Sequence, residues 1–139
     1  MPEPYCLAMV ICDDVHKDPS TSKHTILGTC NVFVAREFPA TIKFAVYTAI
    51  TDALGPLDVV FRLVKADFDE EPVFSLPPQE ITVASPLMVL ETVMRVMAQV
   101  PEPGQYHCEL LANGELLMAR RLVIMDSETL KGRIDDNNT

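Results

Sequence analysis

The sequence predicts an all-β protein, an antiparallel β-sandwich of seven to eight strands. The run at residues 101–125 places two apolar arms around Asn113-Gly114. Asn-Gly is the strongest short hairpin signal, because both central residues of a type I′ turn need positive φ. Apolar segments also recur along the chain at intervals of about 10–15 residues, separated by turn-forming residues. Many short strands with turns between them favour a sandwich.

The first half of the chain contains four predicted strands. The first, residues 5–13, is apolar on both parities, which indicates two covered faces. Gly28 lies inside the second, residues 24–35, and indicates a bulge or a close backbone approach. Phe38-Pro39 then forms a corner. The third and fourth strands are residues 41–52 and 57–65.

The second half of the chain contains an edge segment and an ambiguous one. Pro77-Pro78 marks residues 72–85 as an edge, because proline cannot donate to a β-ladder. Ser85-Pro86 is typical of a helix start, so residues 87–99 could be a helix. Their valine and threonine content and their alternation favour a strand, which we predict. The hairpin arms are residues 105–112 and 115–125.

Composition bounds the class of protein. The 139 residues suit a single domain, predicted at residues 1–125 with a polar tail at 126–139. The net charge of −9 argues against nucleic acid or an anionic membrane surface as partner. Acidic Glu3, with no basic residue, precedes the first apolar run, which is unlike a secretory signal, so we expect a cytoplasmic protein.

Four motifs carry a resemblance to a known family: LAMVICDD at residues 7–14, TILGT at 25–29, EFPA at 37–40 and PEPGQYHCELLANGELL at 101–117. The chain resembles, over about residues 5–124, a family of short bacterial proteins that carry only a domain-of-unknown-function label. The resemblance implies an immunoglobulin-like sandwich and brings no activity, substrate or cofactor with it.

The cysteines allow two interpretations. Tyr106-His107-Cys108 is similar to the Tyr-x-Cys of immunoglobulin domains, which would make Cys30 the bridging partner of Cys108. The chain has no tryptophan and its context looks reducing. We therefore expect packed free thiols at Cys6, Cys12, Cys30 and Cys108, and no C-x-x-C spacing points to zinc.

Polar clusters give only weak candidates for chemistry. Two acidic loops carry the candidate cation ligands Asp13, Asp14, Asp18, Asp67 and Asp69. Solvated turns are the expected alternative for both loops. Zinc binding by His16, His24 and His107 would need the three to converge. His107 and Cys108 are consecutive on a strand, so their side chains point to opposite faces. We expect no enzyme activity, no metal and no cofactor.

Apolar residues exceed what one buried face per sheet can hide. The interface candidates are Val89, Val93 and Met97 on the ambiguous strand, and Leu111 and Met118 on the hairpin. A loop, the proline-rich edge or the tail could also cover this surplus. The predicted function is a non-enzymatic module for protein–protein interaction or self-assembly as a homo-oligomer. The alternative is a divalent-cation or small-ligand binding module that uses the acidic loops.

Overall fold

The computed structural model describes residues 3–66 and 68–128, of which 68–70 are described by their backbone alone. The all-β prediction is confirmed, with ten strands in place of seven or eight. They are β1 Tyr5–Lys17, β2 His24–Thr29, β3 Val32–Ala35, β4 Ala40–Thr51, β5 Gly55–Lys65, β6 Phe68–Ser75, β7 Gln79–Val83, β8 Leu90–Val100, β9 Gly104–Ala112 and β10 Glu115–Asp126.

The strands form two facing sheets. Sheet A has the order β2-β1-β4-β8, and sheet B has the order β3-β10-β9-β5-β6, with β7 also paired to β5. All pairings are antiparallel except that of β3 with β10. The order β10-β9-β5-β6 opposite β1-β4-β8 is that of an immunoglobulin-like sandwich, in which the last two strands lie beside the third.

The core fills the space between the sheets and contains an immunoglobulin hallmark. Tyr106 and Cys108 are fully buried on β9, two residues apart. The Tyr106 hydroxyl donates a hydrogen bond to the Glu102 carbonyl oxygen at 2.6 Å. This contact ties the start of β9 to the preceding turn, as a tyrosine corner does. The fold that the resemblance implied is therefore confirmed.

Two predicted segments each divide into two strands, which accounts for the higher count. The predicted second strand is β2 in sheet A and β3 in sheet B. Between them the Cys30 N–H donates to the Ile11 carbonyl of sheet A, while the Asn31 carbonyl accepts from Val123 of sheet B. The predicted edge segment at 72–85 contributes to β6 and β7, both of which pair with β5. The prediction of an acidic loop around Asp67 and Asp69 is wrong for most of that segment, because β6 begins at Phe68.

Local predictions that rest on special backbone conformations are confirmed. Asn113 and Gly114 have φ of 50° and 84° and join β9 to β10. Gly28 has φ of 68°, and a Cβ there would overlap the Asp13 carboxylate, which is the expected close approach. The ambiguous segment is a strand, as predicted, but β8 begins at Leu90, so residues 87–89 precede it. Most of the predicted polar tail, residues 129–139, lies outside the described residues.

Candidate functional site

Sheet A ends on β8, and in the described part of the chain no strand pairs with its outer edge. β8 pairs with β4 over eleven consecutive residue pairs without a register shift. It contains no proline or glycine. A long, regular and unpaired edge of this kind presents a row of backbone N–H and C=O groups to another chain.

Three other edge regions, on β3, β6 and β1, carry features that natural proteins use against edge pairing. β3 has only four residues. β6 contains Pro72, and Pro77-Pro78 separates it from β7. On the open stretch of β1, Arg120 Nε donates to the Met9 carbonyl oxygen at 3.1 Å. The strands at the other edges are also shorter than β8: β2, β3, β6 and β7 have six, four, eight and five residues, and β8 has eleven.

Exposed apolar side chains accompany this edge. Leu87 is 92% exposed and Met97 61%, while Met88 and Val89 are about half exposed. The Thr51 hydroxyl lies 3.4 Å from the Pro86 carbonyl and 3.3 Å from that of Met88, so the loop is held against the end of β4. We call the free edge of β8 with the side chains of Leu87, Met88, Val89 and Met97 the β8 border.

The β1–β2 hairpin covers part of the outer face of sheet A. β1 pairs with β4 only as far as Cys12. Beyond Cys12 the chain turns back over the sheet, so that buried Val15 packs with buried Cys12 and Ala45. Partly buried residues surround this second cluster: Ile26, Tyr47 and Val93. Part of the apolar surplus read from the sequence is thus covered by the chain itself.

A hydrogen-bonded network fastens the hairpin to β4 and β8. His24 Nδ1 lies 3.0 Å from Glu91 Oε2, and the Tyr47 hydroxyl donates to the same oxygen. That hydroxyl, with the charge of His24, lowers the pKa of the Glu91 carboxyl. Burial, with the hydrogen bond to Glu91, raises the pKa of Tyr47 to about 12. These opposite shifts agree on one geometry, a neutral phenol bound to a carboxylate.

A second contact fastens the same hairpin. Arg95 Nη2 on β8 donates to Asp14 Oδ1 at 3.1 Å and to the Val15 carbonyl oxygen at 3.3 Å. The pKa of the Asp14 carboxyl is lowered mainly by the hydrogen bond from the backbone N–H of Val15, and to a smaller extent by the hydrogen bond from Arg95. Both side chains remain more than half exposed, so this ion pair contributes little stability by itself.

The five predicted interface residues do not share one surface. Val89 and Met97 are exposed on the β8 border, and Val93 lies between them, half-buried beside the hairpin. Leu111 is partly buried on sheet B, opposite Val60. Met118 is partly buried and packs against the main core. The structure therefore brings three of the candidates together and leaves the other two elsewhere.

The predicted cation ligands either contact other groups of the protein or lie outside the described residues. Asp13 lies against Gly28, Asp14 pairs with Arg95, and Asp18 accepts from Ser20 N–H and Oγ at 2.8 Å. Asp67 is outside the described residues, and only the backbone of Asp69 is described. Within the described portion, no three His, Cys, Asp or Glu side chains group to hold a metal ion.

A cleft that sequence reasoning missed opens between the sheets on the side away from β8. Its volume is about 480 Å³, and Met9, Ile11, Cys30 and Arg120 contribute to its wall. Burial raises the pKa of the Cys30 thiol, so the thiol stays protonated there. The cleft lies where the chain crosses at Cys30 from one sheet to the other. The sequence carries no signal for this crossing, so the cleft could not be predicted.

The four cysteines are free thiols. Cys108 is fully buried. Burial is the main cause, and the nearby Cys30 a smaller one, of the rise in the pKa of Cys108 to about 12. His107 is on the opposite side of β9 and only partly buried. The expectation that these two neighbours point apart is confirmed, and this arrangement does not activate a nucleophile.

None of the described helices is long and apolar enough to span a membrane.

The two sheets, their strand order and the tyrosine corner define an immunoglobulin-like β-sandwich protein, in which β8 leaves a long edge open. The chain belongs to the family of unknown function DUF6941, whose model matches residues 7–125. The predicted resemblance to a domain-of-unknown-function family is thereby confirmed. No curated protein matches the chain.

Solved structures are similar to this chain at low sequence identity. A Pseudomonas fluorescens alkylpurine DNA glycosylase, AlkC, bound to DNA with an abasic-site analogue, matches with a TM-score of 0.55 and 15% identity. The match covers 89% of this chain but only 31% of the glycosylase. An immunoglobulin-like protein from Pseudomonas aeruginosa has a TM-score of 0.45 and 14% identity, with 88% and 96% of the two chains covered.

Proposed function

We propose that this protein is a non-catalytic immunoglobulin-like module that works by protein–protein contact, and that its first partner is a second copy of itself. The observation that carries the proposal is the β8 border. It combines the open outer edge of an eleven-residue strand with exposed Leu87 and Met97. Exposed apolar surface beside an open sheet edge is typical of an interaction site.

The distribution of charge favours the β8 border as the place where two copies meet. The chain carries −9 overall, so two copies repel one another over most of their surfaces. The four apolar side chains of the β8 border carry no charge, and their burial would favour association by about 25 cal/mol for each Å² removed from water. The same negative balance disfavours a phosphate backbone as ligand.

The chemistry of the described polar groups supports a structural role over catalysis. His24, Glu91 and Tyr47 form the most convergent titratable set, and their contacts hold the hairpin down. Cys108 lies in the core with a raised pKa, which makes it a poor nucleophile.

The test is the oligomeric state of the full chain. Sedimentation velocity, with light scattering after size exclusion, should show a monomer that converts to a dimer over about 1–100 µM, the range of a micromolar Kd. A reducing agent in every sample separates this association from disulfide cross-linking through Cys30. A monomer at every concentration would contradict the self-association that we propose.

A further inference from the structure

We propose that β8 pairs with β8 of a second copy, antiparallel and in one register, with Val93 on the twofold axis. This inference deepens the proposed function, because it needs a chain that self-associates. It names the strand, the register and the residues that select it. The two four-stranded sheets would then join into one sheet of eight strands, four from each copy.

The direction of the backbone groups on β8 follows from those on β1. The carbonyls of Met9 and Ile11 point away from β4, because they accept from Arg120 and Cys30. Hydrogen-bonding direction alternates along a strand, so Val10 between them bonds to its β4 partner Tyr47.

The same alternation continues across β4. Because Tyr47 bonds to β1, Val46 and Thr48 must bond to their β8 partners, Met94 and Thr92. Val93 between them therefore directs its N–H and C=O to the free edge. Glu91 and Arg95 do the same, and these groups are available to a second strand.

The side chains on either side of Val93 are complementary to one another when two β8 strands pair around it. An antiparallel pairing centred there places Glu91 opposite the partner's Arg95, and Arg95 opposite the partner's Glu91. Both side chains also contact the β1–β2 hairpin of their own copy, and Arg95 remains more than half exposed there. The same pairing also places exposed Val89, the residue just before β8, opposite the partner's exposed Met97, and Val93 opposite its own copy. Opposite charges and apolar pairs that face each other across strands stabilise a sheet.

The two neighbouring centres whose backbone groups also point to the free edge, Glu91 and Arg95, are unfavourable. A pairing centred on Arg95 sets two guanidinium groups opposite each other, and one centred on Glu91 does the same with two carboxylates. Like charges directly opposite each other destabilise a strand pair. The centre on Val93 also keeps the contact away from Gln99 and Pro101, which lie beside Val73 of β6.

A charge test distinguishes this register from any other mode of association. Val89→Lys and Met97→Glu should each weaken the homodimer by about tenfold or more, because each sets two charges against apolar side chains. An equimolar mixture of the two variants should form a heterodimer as tight as wild type, with opposite charges at positions 89 and 97. Leu116→Lys, at a side chain that is also half exposed but lies on β10, is the matched control and should leave the dimer unchanged.

Amide exchange tests the same register without substitutions. In the monomer the N–H groups of Glu91, Val93 and Arg95 should exchange fast, and those of Thr92 and Met94 slowly. Raising the protein concentration should slow the first group selectively. Uniform exchange along β8, or a dimer that tolerates both variants as it tolerates Leu116→Lys, would overturn this register and leave the proposed function standing. A wild-type chain that stays monomeric would overturn both.

Discussion

At the scale of single residues, Gly28 is where the backbone most clearly limits the side chain. Its φ of 68° is in the left-handed region, and a Cβ would meet the Asp13 side chain. Gly114 has φ of 84° and nothing within 4 Å of such a Cβ. The two glycines therefore separate the cost of the conformation from the cost of the overlap.

We expect Gly28→Ala to lower the free energy of unfolding more than Gly114→Ala does. Gly114→Ala should cost about 1–2 kcal/mol, the penalty of a left-handed conformation for an L-residue. Gly28→Ala should cost this amount and more, because the Asp13 carboxylate must also move. Urea unfolding of both variants measures the difference, and equal losses would contradict the close approach at Gly28.

The thiols should react in an order set by burial. Cys30 is the partly buried one at the open cleft, whereas Cys6, Cys12 and Cys108 are buried in the sheets. Alkylation of the native protein near neutral pH should modify Cys30 first and Cys108 last, since the pKa of Cys108 is raised to about 12. Peptide mass spectrometry after timed quenching identifies the site, and all four should react in denaturant. Early modification of Cys108 would contradict its burial.

At the scale of elements, the β1–β2 hairpin depends on the charge of Glu91. The folded pKa of this carboxyl lies below its ordinary 4.5, because the Tyr47 hydroxyl donates to it. A group with a depressed pKa stabilises the fold above its unfolded pKa. That stabilisation is lost as the pH falls below 4.5 and through the folded value.

We therefore expect Tyr47→Phe to reduce the acid sensitivity of the fold. Wild type should lose more unfolding free energy than the variant when the pH is lowered through 4.5, because the variant lacks the donor that depresses the Glu91 pKa. Chemical unfolding at a series of pH values, at a concentration where both proteins are monomeric, measures this. The titration of Glu91 by NMR should also shift upward in the variant, and an unshifted titration would contradict the contact.

The sequence predicts elements well where local chemistry decides them. Asn113-Gly114 specifies its turn by conformation alone, and the alternation of residues 87–99 sufficed to identify β8 as a strand. The split of residues 24–35 could not be predicted, because Cys30 and Asn31 carry no turn signal and the break is made by their bonds to two different sheets. Tertiary pairing there overrides a run with continuous strand propensity.

The candidate site shows the same limit. The sequence indicates an apolar surplus and selects Val89, Val93 and Met97, but it gives no strand order. That β8 is an edge follows only from sheet topology, and so does the position of Met118 against the core. The cover supplied by the β1–β2 hairpin also depends on a fold-back after Cys12, which the polar residues beyond it do not specify.

At the scale of the whole molecule, association and stability should be linked. A partner that binds only the folded chain shifts unfolding by mass action, so a dimer is more stable at higher protein concentration. For a domain of this size, we expect each tenfold rise in wild-type concentration to raise the Tm by about 2–4 °C. Met97→Glu, which should be monomeric, should have a Tm that does not depend on concentration.

Scanning calorimetry of both proteins measures this linkage, and the mixture of Val89→Lys with Met97→Glu supplies its control. Neither variant alone should show a concentration-dependent Tm, but the mixture should recover one, because its two chains restore a complementary edge. A wild-type Tm that is constant with concentration, in samples that sediment as dimers, would mean that the dimer does not stabilise the fold. The joined sheet would then be wrong, because two β8 edges paired through their backbones must unfold together with the domains that carry them.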